Sequence, residues 1–179
     1  MRLFIAVEIP EDIKAALLSA QKKIAETEHT NARLTFVKDF HFTLKFLGDV
    51  DDDTIKKIKE LLDDVSFDAF DITLDSTGVF PDENDIRVVW VGVEPHSQII
   101  ALQQKIEKSL IGLFPKDDRF HPHLTLARVK IVKNRKKFAE QLKNLKIEKK
   151  SFFIKGFSLI RSALTPNGPD YETVYSFSF

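Results

Sequence analysis

Two tetrapeptides place a histidine and a hydroxyl side chain two residues apart: His41-Phe42-Thr43-Leu44 and His123-Leu124-Thr125-Leu126. They lie 82 residues apart, one in each half of a 179-residue chain. On a β-strand, residues i and i+2 point to the same face. Each motif therefore presents an imidazole beside a hydroxyl. If the two strands line one cleft, that cleft holds two histidines and two hydroxyl donors. This is equipment for acid–base chemistry on an oxyanion such as a phosphate. One neutral imidazole takes a proton from water and one imidazolium gives a proton to the leaving alkoxide. Histidine suits both tasks because both of its forms are accessible near neutral pH. Thr43 and Thr125 would donate to the non-bridging phosphate oxygens. No metal and no cofactor enter such a scheme.

A single His-x-Thr is common and is usually a surface or core histidine. The rival reading is that the motif is only a core strand signature kept by a repeat, with Phe42, Leu44, Leu124 and Leu126 as the core positions. That reading leaves the repeated polar face unexplained. Metal binding is a second rival, since His121-Pro122-His123 looks like a ligand pair. The proline between them, and the lack of an H-x-x-x-H or E-x-x-H helix pattern, argue against zinc.

The surrounding elements must position the motifs. Apolar runs and alternation predict strands at Leu3–Glu8, 34–37, 40–47, 67–77, 86–93, 123–129, 151–162 and 171–179. Helical spacing predicts helices at about 11–26, 51–64, 97–113 and 134–144. Residues 80–84 and 165–169 read as turns. The order recurs: Phe4–Pro10 matches Val89–Pro95, and strand–helix–motif strand–helix–strand–strand follows in each half. From proline to motif histidine is 31 residues in the first half and 28 in the second. This is one long internal duplication, with repeats of about 1–85 and 86–179. A pseudo-twofold axis would bring the two copies of the motif to a shared central cleft. Gly and Pro are scarce and no linker-like segment interrupts the chain, so the expectation is one domain, 1–179, of two intimately packed lobes.

Formal net charge is zero, so the overall charge does not announce nucleic acid. The distribution is uneven. From Arg128 to Lys150 there are ten Lys and Arg against Glu140 and Glu148, while residues 49–75 are rich in Asp. The basic tract, with its Lys133–Lys137 cluster, reads first as a solvated helix face. The absence of cysteine excludes disulfides, thiolate metal sites and cysteine nucleophiles. Leu3–Ile9 is too short for a signal-peptide core, and no apolar stretch reaches membrane-spanning length. A cytoplasmic monomer with no membrane partner is the expectation. No Gly-rich P-loop is present.

Three segments carry a resemblance to a known family: Arg2-Leu3-Phe4-Ile5-Ala6, HFTLKFLG at 41–48, and Phe120 to Arg128 with its HPHLTLAR core. They resemble the 2H phosphoesterases, and within them the RNA 2′,3′-cyclic phosphodiesterases, also called 2′-5′ RNA ligases. The likeness covers essentially the whole chain. It implies an α+β, bilobal fold: duplicated units of antiparallel sheet with flanking helices around a central groove. It implies opening of an RNA 2′,3′-cyclic phosphate end to a 2′-phosphate without metal. One histidine protonates the 3′-oxygen and the other activates water. His41 is assigned as general acid and His123 as general base on that likeness. The alternatives are 2′-5′ ligation in the same cleft, which is chemically the reverse reaction, and a module that holds RNA ends without turnover.

The resemblance also carries over Phe46, as an aromatic placed to stack on the terminal base, and Arg128, as a phosphate partner. Simple alternation puts Phe46 on the face opposite His41, and Arg128 opposite His123. Stacking by Phe46 needs the strand to twist or end there, and Arg128 needs a bulge. Of the other histidines, His121 reads as a rim or structural residue, His96 as an exposed residue at a helix start, and His29 as solvent-facing.

Overall fold

The computed structural model describes residues 1–26, 32–166 and 168–178; His29 lies outside them. Nine strands and four helices are seen among these residues. The four-stranded sheet has the order β3-β1-β8-β9, from β3 (His41–Asp49), β1 (Arg2–Glu8), β8 (Gly156–Thr165) and β9 (Gly168–Ser178). The five-stranded sheet has the order β2-β6-β5-β4-β7, from β2 (Ala32–Phe36), β6 (His123–Val132), β5 (Asp85–Glu94), β4 (Phe70–Asp82) and β7 (Ser151–Ile154). All the pairings are antiparallel, as the α+β expectation requires.

The strands cross between the halves of the sequence. β2 and β4, from the first half, sit in the sheet built around β5 and β6. β8 and β9, from the second half, complete the sheet built around β1 and β3. The sheets therefore do not coincide with the two sequence repeats. The helices cross as well: α1 (Glu11–Ala25) packs on β6 and α3 (His96–Ser109) on β3.

Local sequence explains the helix ends. Pro10 at the N-cap, followed by Glu11 and Asp12, starts α1 and complements its dipole. Ile13, Leu17, Ala20 and Ile24 form its buried stripe. In α2 (Asp52–Asp63) the Asp51 carboxylate accepts from the Thr54 amide at 2.8 Å, satisfying an orphan donor. Asn134 does the same for Lys137 at the start of α4 (Arg135–Lys143), whose lysines face solvent. α3 stops at Ser109 rather than near Leu113, because the chain turns there through Gly112 at φ 89°.

Two other expectations change. The stretch 80–84 is not all turn: β4 runs on to Asp82, and the hairpin closes where the Asp82 carboxylate accepts from the amides of Asn84 and Asp85. The expected single strand 151–162 is two strands, β7 and β8, in different sheets. The switch occurs at Lys155. A side chain at Gly156 would run into the Phe177 carbonyl oxygen, so glycine lets the two backbones approach there.

One apolar core lies between the sheets and helices, and it takes in Phe42, Leu44, Leu124 and Leu126. Behind the first motif strand sits a buried ion pair. The Lys45 ammonium reaches both Glu107 carboxylate oxygens at 2.9 and 2.8 Å and the Pro115 carbonyl at 2.9 Å. Gln103 adds a bond to Glu107 at 3.0 Å. The two charged side chains are only 3% and 6% exposed. Removing one partner of such a pair strands the other charge away from water. Lys45→Met should therefore cost about 3–5 kcal/mol in urea unfolding, and Lys45→Met with Glu107→Leu should recover most of that. Equal losses in single and double variants would show that the pair is not the brace.

Candidate active site

Both motif strands break their alternation at the same place. In β3, Thr43 pairs with Ala6 and Lys45 pairs with Ile5, so Leu44 is an extra residue. In β6, Thr125 pairs with Trp90 and Ala127 pairs with Val89, so Leu126 is the extra residue. Each strand thus carries a β-bulge at the leucine that ends its motif. The burial pattern shows the same event: Leu44 and Lys45 are both buried, as are Leu126 and Ala127. Beyond the bulge the faces exchange. Phe46 and Arg128 therefore join the faces of His41 and His123, and the alternation that set them apart does not hold. They occupy equivalent places, Phe46 opposite Phe4 and Arg128 opposite Val88.

The bulges are held from behind by the opposite half. Gln21 on α1 is buried and donates through Nε2 to the Leu126 carbonyl and to the Val37 carbonyl, each at 2.8 Å. Lys45, turned inward by its bulge, meets Glu107 and Gln103 of α3. Each motif strand is thus fixed by a polar group from a helix of the other repeat.

On its working face, His41 is half-buried and makes edge contacts with Phe4 (ring centroids 5.6 Å) and Tyr171 (4.8 Å). Phe4, Ala6 and Ile160 form a small separate cluster with Tyr171 beneath it. Phe46 lies beside Phe4 at 6.1 Å and is 74% exposed, an aromatic surface with nothing of the protein over it. On the other sheet, His123 packs edge-on against Phe80 at 4.9 Å and lies 6.2 Å from Trp90. A side chain at Gly78 would overlap the Trp90 ring, which takes that space. The structure also shifts the repeat by one residue. Trp90, opposite Thr125, corresponds to Ala6, opposite Thr43, and not to Ile5 as the ungapped match has it.

The two motif strands touch across the sheets. Tyr171, in ring contact with His41, feels the charge of Arg128 from β6. The two motif faces thus lie near each other across the sheets. Each motif histidine is also oriented alike. The Nδ1 of His123 lies 2.7 Å from the carbonyl oxygen of His121, two residues before it. The backbone of Asp39, again two residues before the ring, has a smaller raising effect on His41. With Nδ1 of His123 donating its hydrogen to that carbonyl, Nε2 of His123 is left to exchange protons with a ligand.

Burial is the main cause that lowers both histidines below the ordinary value of 6.5. Asp39 and Glu8 pull His41 back upward, against a smaller effect of Lys14. For His123 the carbonyl bond raises and the His121 charge lowers. His121 is lowered by burial and by His96, whose ring centre is 6.1 Å away. Burial pushes the Tyr171 phenol up, so it stays a hydrogen-bond donor at neutral pH. His121 is thus a rim residue whose carbonyl seats His123, and His96 is exposed at the first turn of α3. Among the described residues no cluster of three or more His, Asp or Glu is arranged to hold a metal ion. None of the helices is long and apolar enough to cross a membrane.

Sequence reasoning missed Tyr171, Trp90 and Glu8. The first two show only as aromatics in alternating strands, and Glu8 only as the end of a hydrophobic run. What places them is strand pairing, which the linear pattern does not contain.

Comparison with known proteins gives a consistent answer. A family profile described as the 2′-5′ RNA ligase superfamily matches residues 7–165. The RNA 2′,3′-cyclic phosphodiesterase of Methanocaldococcus jannaschii is 36% identical over 176 residues, spanning 97% of this chain and 98% of that protein. The protein of the same description from Methanothermobacter thermautotrophicus is 35% identical over 184 residues, covering 99% and 98%. The crystal structure of TT0787 from Thermus thermophilus superposes with a TM-score of 0.79 at 28% identity, covering 99% of this chain and 97% of that one. E. coli LigT complexed with phosphate shares the fold, with a TM-score of 0.72 at 24% identity over 99% and 96% of the chains.

The lowered histidines have a thermodynamic consequence. Below 6.5 the unfolded chain takes up protons that the folded histidines resist, so stability falls as pH drops through that window. The thermal midpoint should fall from pH 7.5 to pH 5, and fall less in a His41→Asn, His123→Asn variant. An identical pH dependence in both proteins would contradict the burial of these rings.

Proposed function

The chain belongs to the 2′-5′ RNA ligase superfamily, and from that membership and its groove we propose that it hydrolyses RNA 2′,3′-cyclic phosphate ends to 2′-phosphates. One observation carries the reading. Bulges at Leu44 and Leu126 bring Phe46 and Arg128 onto the faces of the two His-Thr pairs, and the two motif strands touch across the sheets. A phosphodiester needs a proton acceptor on one side of phosphorus, a proton donor on the other, and donors for the non-bridging oxygens. The two motif faces carry a side chain for each of these roles on one chain.

In the reaction, His123 Nε2 takes a proton from water as the water oxygen bonds to phosphorus. The bond from phosphorus to the 3′-oxygen breaks, and His41 gives its proton to that oxygen. The products are a 2′-phosphate and a free 3′-hydroxyl. Thr43 and Thr125 donate to the non-bridging oxygens, whose charge grows along the way. Arg128 adds a cation on the His123 side, and Phe46 offers its exposed face to the terminal base. The duplicated positions have thus diverged into a stacking surface and a charge, which gives a pseudo-symmetric groove a direction for its RNA.

A 2′,3′-cyclic-phosphate oligonucleotide in EDTA tests the reading. The wild type should release the 2′-phosphate, and His41→Ala and His123→Ala should each lose about 10²–10⁴ in kcat. Full activity in both variants would defeat the scheme. Phe46→Ala should raise KM about tenfold with little change in kcat, as expected for a lost stack of roughly 1–3 kcal/mol. The working form has His41 charged and His123 neutral. Both rings are lowered, so kcat/KM should peak below 6.5, falling on the acid side as His123 takes a proton and on the alkaline side as His41 loses one.

A further inference from the structure

The duplication leaves His41 and His123 in matching backbone settings, yet two positions around them differ in charge. The strand partner of His41 is Glu8; the strand partner of His123 is Gly92. The residue whose carbonyl seats each ring is Asp39 for His41 and His121 for His123. We propose that Glu8 and Asp39 are positioning residues that make His41 the proton donor, and that Gly92 and His121 leave His123 the proton acceptor. This inference rests on the hydrolytic reading above and deepens it, by naming what divides the labour between two equivalent imidazoles.

The geometry is specific. Directly paired residues of antiparallel strands project from the same face with their Cβ atoms about 5 Å apart, so the Glu8 side chain stands beside the His41 ring. The carboxylate does not swing freely. Ser158 of β8 donates to Glu8 Oε1 at 3.0 Å and Thr173 of β9 donates to the same oxygen at 3.3 Å. Ser176 holds Ser158 in turn at 3.1 Å. Three hydroxyls on two neighbouring strands thus fix one anion next to one imidazole. Asp39 lies just before the strand and holds His41 through its backbone as well as its charge. The groups around His41 are then Glu8 and Phe4 from β1, Asp39 from the preceding turn, Tyr171 from β9 and Lys14 from α1. Lys14 is the opposing cation, and Glu11 engages it at 2.6 Å. Around His123 stand Phe80, Trp90 and His121, and the charge acting on it is that of His121. An imidazolium is favoured beside two carboxylates and disfavoured beside a second histidine in an aromatic wall.

Glu8→Gln keeps an amide oxygen that Ser158 and Thr173 can bond, and removes only the charge. Asp39→Asn keeps the backbone carbonyl. NMR titration of the ring protons in wild type, both single variants and the double variant reads each histidine separately, with no substrate present. The His41 midpoint should move down in each single variant and furthest in the double, with the His123 midpoint unmoved. His121→Asp should move the His123 midpoint up. In parallel, the alkaline limb of kcat/KM should shift to lower pH in the double variant, with kcat kept at its new optimum. An unmoved His41 midpoint in the double variant, or an equal movement of both rings, would overturn the proposal. So would a loss of kcat at every pH with no shift of the profile, which is what a purely structural role gives. If the wild type proves inactive on cyclic phosphate, the hydrolytic reading fails while the ring titration still decides whether Glu8 and Asp39 charge His41.

Discussion

The Lys45 ammonium is almost wholly buried, and the facing of the motif side chains depends on that constraint. A buried cation needs an anion and further acceptors around it. Glu107, Gln103 and the Pro115 carbonyl supply them from α3 and the loop after it. Lys45 faces inward only because Leu44 is an extra residue in β3. The ion pair and the bulge therefore hold each other in place. Undoing the bulge would turn Lys45 toward the groove and Phe46 toward the core. At Leu126 the same task falls to Gln21, through a carbonyl instead of an ammonium. Two chemically different braces secure the same backbone irregularity.

The placement of these braces explains how the motif strands of two sheets can hold their residues in register. α1 belongs to the first repeat and supports the motif strand of the second, and α3 does the converse. A displacement of one sheet relative to the other would break polar contacts that have no water to replace them. Positioning of this kind suits proton transfer, which depends closely on the distance between heavy atoms.

Much of this was legible in the sequence, and the reasons for the gaps are physical. Periodicity located the helices and most strands, since burial of one face leaves a trace in the chain. The paired His-Thr motifs were legible because both the polar and the apolar positions repeat. A bulge leaves little such trace: Leu44-Lys45 reads as ordinary alternation until a buried partner for Lys45 is known. Phe46 and Arg128 therefore stood on the wrong face in a linear reading. The break at Lys155 was hidden for a similar reason. Phe152 and Ile154 alternate correctly, as do Phe157 and Leu159, but the two pairs face the core from different sheets. The pairing of Glu8 with His41 depends on register, a property of two strands together.

The crossing of strands between the repeats also bears on how such a chain could have arisen. A half-length ancestor carrying one motif could not have completed either sheet alone. The strands equivalent to β4 and β8, and the helices equivalent to α1 and α3, would have had to come from a second copy. Within a single chain, each half can differ from the other at matching places. A glutamate can then face one histidine and a glycine the other, and a phenylalanine stand where the second strand has an arginine.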